Sequence, residues 1–261
     1  MRLPIYQLDA FTARRFAGNP AAVIPLQNFL PNAMLQAIAA ENDLSETAYL
    51  VKEGAGYNLR WFTPVCEVPL CGHGTLASAA VVLDRLEPAR DEVQFHTASG
   101  VLTVKRSADG LVMDLPASQV ERVELVAGVA EALGAQPLEV WVNDRFTLVL
   151  LADAARVRAL TPKMEAVAGL DPHGVIVTAP GDAGLDFVSR FFAPAMGVDE
   201  DPVTGSAHCV LAPFWAGRLG RTVLRAHQAS RRGGDLTCRL VADRVELVGQ
   251  CVFYMEGTVE V

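Results

Sequence analysis

Arg60-Trp61-Phe62-Thr63-Pro64 recurs as Arg190-Phe191-Phe192-Ala193-Pro194, 130 positions further along the chain. Pro69-Leu70-Cys71-Gly72-His73 follows the first copy, and Pro202-Val203-Thr204-Gly205-Ser206 follows the second at an offset of 133. Leu102-Thr103 returns as Leu236-Thr237 and Asp109 as Asp243, both at 134, while Asp9-Ala10-Phe11-Thr12 is echoed by Asp144-Arg145-Phe146-Thr147 at 135. Matches in one order, at offsets near half of a 261-residue chain, predict an internal duplication. The plainer alternative is two lobes that share only strand-turn-helix grammar. Either way the chain divides near Pro116-Ala117-Ser118-Gln119-Val120, giving expected lobes over residues 1–117 and 118–261.

The composition sets the class. Hydrophobic residues make up 51% of the chain, enough for a substantial core, and the formal net charge is −8. Such a balance repels phosphate backbones and anionic membranes, so neither nucleic acid nor a membrane is an expected partner. Arg231-Arg232 is short and followed by Gly233-Gly234, which reads as a solvated loop. The start, Met1-Arg2-Leu3-Pro4-Ile5, lacks a signal-peptide core and reads directly as a strand. No apolar run approaches the roughly 20 residues that span a bilayer. The five cysteines are odd in number and form no C-x-x-C pair, a pattern of reduced thiols. A cytoplasmic protein is expected.

Ala21-Ala22-Val23-Ile24, Ala48-Tyr49-Leu50-Val51 and Val101-Leu102-Thr103-Val104 read as strands, as do residues 146–151 and 174–178 in the second half. Pro31 to Ala40 reads as an amphipathic helix behind a proline start. Two other segments are apolar all round: Thr75 to Leu83, and Ala207 to Trp215, where Pro213 should kink or shorten the helix. A helix without a polar face belongs inside something. The expected fold is therefore α+β, two similar lobes, each a mixed sheet curled around a buried central helix.

Both buried helices begin at small, glycine-bearing turns, Cys71-Gly72-His73-Gly74 and Thr204-Gly205-Ser206. The first amides of a helix have no intrahelical acceptor and carry the positive end of the helix dipole. Glycine permits close approach of a ligand to the backbone. Gly72, His73, Thr204, Gly205 and Ser206 are thus expected to cradle a substrate carboxylate at a cleft between the lobes. The alternative is that these glycines only permit tight packing.

These segments carry a resemblance. Asp9-Ala10-Phe11-Thr12 with Phe16-Ala17-Gly18-Asn19-Pro20-Ala21-Ala22-Val23, Leu44-Ser45-Glu46-Thr47-Ala48-Tyr49, Cys71-Gly72-His73-Gly74-Thr75 and Asp201-Pro202-Val203-Thr204-Gly205-Ser206-Ala207-His208 resemble the motifs of PhzF-like proteins of phenazine biosynthesis. The likeness extends over essentially the whole chain. It implies a diaminopimelate-epimerase-like fold, a homodimer, and a cofactor-free isomerase with Glu46 as general acid/base. It also implies that His73 and Asp201 orient substrate and assist protonation. The family's characterised substrate is a dihydro-hydroxyanthranilate, in which a proton and a double bond move; a small carboxylate of that kind is the expected partner.

Glu46 has no glutamate counterpart in the second half, where the matching region runs near Asp171-Pro172-His173-Gly174-Val175. Outside the motif, a Glu ahead of Ala48-Tyr49-Leu50 would be read as a strand-entry residue. His73 lies in a first helical turn, where the dipole favours a neutral imidazole, able to donate one hydrogen bond and accept another; Asp201 could equally be a helix cap. Diaminopimelate epimerases place a cysteine at each helix start, whereas here Cys71 is matched by Thr204, whose hydroxyl is too weak an acid to replace a thiol with a reference pKa of about 8.5. An epimerase of an amino-acid-like compound using Glu46 and a second acid, or a non-catalytic binding protein on the same fold, remain alternatives. No metal is expected, because Cys66, Cys71, His73, His208 and Cys209 match no zinc spacing and neighbouring helical residues point apart. No nucleotide cofactor is expected either: there is no Walker motif, and Gly72-His73-Gly74-Thr75-Leu76-Ala77 lacks the acidic residue that completes a dinucleotide fingerprint.

Overall fold

The computed structural model describes residues 1–261 apart from Leu125, Val126 and Pro172. The chain forms two compact units, residues 1–115 with 246–261, and residues 116–245. In chain order the first half carries β1 (Arg2–Ala10), β2 (Asn19–Leu26), α1 (Asn32–Asn42), β3 (Glu46–Glu53), β4 (Gly56–Phe62), β5 (Glu67–Val68), α2 (Gly72–Val81), β6 (Glu92–Thr97), β7 (Gly100–Ser107) and β8 (Gly110–Pro116). The second half carries β9 (Glu121–Val123), α3 (Val129–Leu133), β10 (Glu139–Val142), β11 (Thr147–Leu150), α4 (Ala154–Arg158), α5 (Met164–Ala168), β12 (Val175–Pro180), β13 (Phe187–Phe192), α6 (Gly205–Leu219), β14 (Val223–Gln228), β15 (Gly234–Val241), β16 (Arg244–Gly249) and β17 (Cys251–Glu260).

The duplication is visible in the strand pairing. In the first unit β17 meets β1 antiparallel, β1 meets β2 antiparallel, β2 and β3 run parallel, β3 and β4 antiparallel, β4 and β6 parallel, and β6 and β7 antiparallel. The second unit repeats the series: β9/β10 and β10/β11 antiparallel, β11/β12 parallel, β12/β13 antiparallel, β13/β14 parallel and β14/β15 antiparallel. The recurring Arg-aromatic pentapeptides end β4 and β13. The two Leu-Thr pairs sit in β7 and β15. In each copy the arginine braces the segment ahead of the buried helix with a bidentate ion pair. Arg60 meets Glu67 at 2.7 Å through both Nε and Nη2, and Arg190 meets Glu200 at 2.6 and 2.9 Å. Fork-to-fork pairing of this kind adds geometric definition beyond its charge.

Each mixed sheet curls about its helix as expected. Every residue of α2 from His73 to Val81 is buried, and the helix lies against β1, β2, β3 and β17 before running into a π turn at Val82–Leu86. Such an enclosed helix owes its stability to packing more than to propensity. α6 lies against β14 and β15. It is not shortened at Pro213, one of the two expected outcomes, but continues to Leu219. The carbonyl that Pro213 deprives of its helical donor belongs to Cys209, and it accepts the amide of Ser118 at 3.0 Å instead. A distant backbone donor thus repairs the ladder.

The expected second lobe of residues 118–261 also needs correction. Residues 246–261 belong to the first unit, because β17 pairs with β1 from Arg2 opposite Glu260 to Ala10 opposite Cys251. No helix among the described residues is long and apolar enough to cross a membrane. Leu76, fully buried in α2, measures how far the fold leans on this helix. Leu76→Ala should cost about 2–5 kcal/mol in urea unfolding. Met34→Ala on the exposed side of α1 should stay within about 0.5 kcal/mol.

Candidate active site

β3 begins with Glu46, and α2 begins one residue before His73, so the strand entry and the helix start carry the two groups. His73 Nε2 lies 2.8 Å from Glu46 Oε2, with the imidazole almost fully enclosed and the carboxylate 16% exposed. The other ring nitrogen, Nδ1, is 3.0 Å from Asn19 Nδ2 and 3.6 Å from Cys71 Sγ. The structure therefore joins two of the expected residues, Glu46 and His73. It adds two that the sequence reading did not place in the site, Asn19 and Cys71.

The helix start explains the local sequence. Cys71 is the N-cap of α2 and its sulfur accepts the Gly74 amide at 3.3 Å. The Cys71 carbonyl accepts the Thr75 amide at 3.2 Å and the Thr75 hydroxyl at 2.6 Å. The amides of Gly72 and His73 have no intrahelical acceptor. Gly74 is required by space: a Cβ there would come 2.8 Å from Trp61 Cδ1 and 3.0 Å from Cys71 Sγ.

Charge in the cluster follows from burial and proximity. Burial alone pulls the His73 pKa down. The Cys71 sulfur and the Glu46 carboxylate push it up and win, so the imidazole stands well above its usual value. Burial first, then the Glu46 charge, push Cys71 up to about 11, so it is a thiol at neutral pH and the push on His73 comes chiefly from Glu46. The expectation of an imidazole kept neutral by the helix dipole is thereby corrected: a carboxylate in direct contact outweighs a partial charge at a helix end.

Glu46, Cys71 and His73 offer ligand atoms within 4.8 Å of one another, a spacing within reach of a metal ion. The ring, however, stands between the other two, with Nδ1 toward the sulfur and Nε2 toward the carboxylate. One imidazole nitrogen binds one metal, so an ion held by all three groups would need the ring or a neighbour to turn from its present contacts.

The second unit has its own set around the start of α6. Thr204 is the N-cap, in the position that Cys71 holds in α2. Its hydroxyl does not cap the helix but donates to Asp201 Oδ2 at 2.5 Å. Gln228, fully buried at the end of β14, accepts the Thr204 amide at 2.9 Å and donates to the Asp201 carbonyl at 2.7 Å. The sequence reading missed Gln228, which no motif marks. Gly205 and Ser206 form the first turn that follows. His208 donates Nδ1–H to the Thr204 carbonyl at 2.8 Å, and burial holds its pKa down at about 4, so it packs the motif as a neutral ring. In the region matched to Glu46, β12 opens with Val175, and Pro172 lies outside the described residues.

Two measurements test the electrostatics. Under alkylation with mass-spectrometric mapping, exposed Cys66 should react at neutral pH. Cys71 should gain reactivity only toward about pH 11, since a raised pKa keeps the nucleophilic thiolate scarce until then. Glu46→Gln removes a charge that raises His73, so the His73 titration midpoint followed by NMR should fall. The same sign gives a stability effect. The ion pair stabilises the native fold fully below the ordinary imidazole pKa, and its contribution is lost as pH rises through the elevated His73 value.

Comparison with known proteins agrees with this architecture. The family of phenazine biosynthesis-like proteins, PhzC-PhzF, matches residues 8–257. The chain is 48% identical to an uncharacterized isomerase of Pseudomonas aeruginosa, over 99% of both chains. It is 41% identical to phenazine biosynthesis-like domain-containing protein 1 of mouse, again over 99% of each. The crystal structure of a PhzF-family phenazine biosynthesis protein from Enterococcus faecalis superposes with a TM-score of 0.96 at 43% identity, covering all of both chains. A hydroxyproline epimerase from Agrobacterium vitis, at 10% identity and a TM-score of 0.61 over 99% of this chain and 92% of its own, shares the fold alone. A chain with this duplicated fold and these relatives belongs to the phenazine biosynthesis-like PhzF family and is an isomerase of that family.

Proposed function

We propose that the isomerase moves a proton, and with it a double bond, in a small carboxylate substrate, using Glu46 as the acid/base and no cofactor. The observation that carries this reading is the contact between Glu46 Oε2 and the enclosed His73 Nε2 at 2.8 Å beside the start of α2. In the first half-reaction the Glu46 carboxylate takes a proton from a carbon acidified by neighbouring unsaturation. The electron pair left behind becomes a new double bond as the original one shifts. The Glu46 carboxylic acid, partly exposed and so able to exchange its proton with solvent, then delivers a proton to the far carbon of the same three-carbon system, restoring the enzyme. His73 Nε2, 2.8 Å from one carboxylate oxygen, steadies that oxygen by charge and leaves the other for the substrate. The amides of Gly72 and His73 suit the substrate carboxylate.

Asp201, Thr204, Gly205 and Ser206 take part in substrate recognition in this reading. Asp201 is already polarised by the Thr204 hydroxyl. A two-thiol racemase mechanism has less support, since Thr204 stands where the second thiol would be and Cys71 is held as a protonated thiol. Dihydro-hydroxyanthranilate, the substrate that the family resemblance suggests, is the first compound to try.

The test is incubation of wild type and Glu46→Gln with trans-2,3-dihydro-3-hydroxyanthranilate in deuterated water, followed by NMR. Wild type should take up deuterium at the new carbon, and the variant should be slower by about 10²- to 10⁴-fold. Equal uptake by both would remove Glu46 from the mechanism. Deuterium at a stereocentre without migration of the double bond would make the enzyme an epimerase.

A further inference from the structure

The signature around Gly18-Asn19-Pro20 has no part in the proton shift described above, yet the loop that carries it is tightly constrained. Asp9, buried at the end of β1, accepts the Phe16 amide at 2.8 Å. The Thr12 amide donates to the Gln250 carbonyl at 3.1 Å, and the Arg14 amide donates to Thr12 Oγ1 at 3.0 Å. Gly18 sits at φ +64°, where a Cβ would fall 2.1 Å from the Ala10 carbonyl oxygen. Phe16 also holds a left-handed φ of 69°, a strained choice for a bulky residue. All of this delivers one side chain: Asn19, fully buried at the first position of β2, with Nδ2 at 3.0 Å from His73 Nδ1.

An amide NH2 group can only donate, so the ring nitrogen it meets must be an acceptor. A neutral imidazole has a single N–H, which then falls on Nε2, the nitrogen 2.8 Å from Glu46. We propose that Asn19 is a positioning residue that selects the tautomer of His73 whenever the ring is neutral, holding Nδ1 bare so that Nε2 keeps the proton presented to Glu46. As a statement about catalysis this rests on Glu46 being the acid/base. Three groups face the ring: Glu46 from β3, Asn19 from β2 and Cys71 from the cap of α2. Their influences differ. Glu46 favours a second proton on the ring, Asn19 opposes it by aiming donors at Nδ1, and the Cys71 thiol at 3.6 Å is a weak donor to the same nitrogen.

The test uses the full chain labelled with nitrogen-15 in the histidine rings, observed by long-range proton–nitrogen NMR over a pH series. The His73 signals are those lost in His73→Gln. His208 is an internal reference for the opposite tautomer, because its Nδ1–H is committed to the Thr204 carbonyl. At the alkaline end, where the ring is neutral, wild-type His73 should show a pyridine-type Nδ1 and a pyrrole-type Nε2. Asn19→Asp, nearly isosteric and acceptor-only, should convert Nδ1 to the protonated, pyrrole type. Asn19→Ala should give averaged signals from both tautomers. A wild-type ring protonated on Nδ1 when neutral overturns the proposal, even if neither variant folds. So does an Asn19→Asp spectrum that keeps the wild-type pattern while His208 stays unchanged. No substrate enters this measurement, so a failed deuterium-uptake assay would sink the functional reading and leave the tautomer result standing.

Discussion

A helix that is apolar on every side can exist in water only if something encloses it, and both halves of this chain are built around that requirement. The walls of α2 come from β1, β2, β3 and β17, and none of its residues from His73 onward reaches solvent appreciably. Enclosure satisfies the side chains but not the first amides, whose hydrogen bonds cannot be made inside the helix. The polar end of each buried helix is therefore where chemistry can be placed. The bidentate pairs Arg60–Glu67 and Arg190–Glu200 hold the chain leading into these ends, so the same brace is present in both copies.

From that shared plan the two helix starts have diverged. In the first, a thiol caps the helix and a carboxylate, an imidazole and an amide form a chain of contacts at 2.8 and 3.0 Å. In the second, the capping position is a threonine whose hydroxyl turns toward Asp201, while a buried glutamine ties both residues down. A duplicated packing role would predict like residues in like places. Glu46 against Val175 at the entries of β3 and β12 is the clearest departure.

Much of this could be read before any coordinates, because it is local. The repeated pentapeptides mark strand ends, the glycine turns mark helix starts, and unbroken apolar runs mark the buried helices. What escaped the reading depends on partners far away in sequence. Pro213 looks like a helix breaker until Ser118 is seen to serve the Cys209 carbonyl. His73 looks like a ring kept neutral by a helix end until Glu46 is found 2.8 Å away, 27 positions earlier in the sequence. Asn19 stood in a quoted motif, but nothing local says that it reaches a histidine 54 positions later. Gln228 carries no motif at all, and its role exists only because β14 ends beside the start of α6.

The return of β17 to the first unit has a bearing on biosynthesis. β1 emerges from the ribosome before the second unit, and the strand that completes its ladder, residues 251–260, emerges only after the whole of that unit has been translated. The earlier-made half, which holds Glu46 and His73, must wait with one edge open while the later-made half can already assemble. Loop closure across such a span is a slow, non-local step. The nascent enzyme thus exposes an unpaired β1 edge while the second unit is being made, the period in which a chaperone would have something to hold.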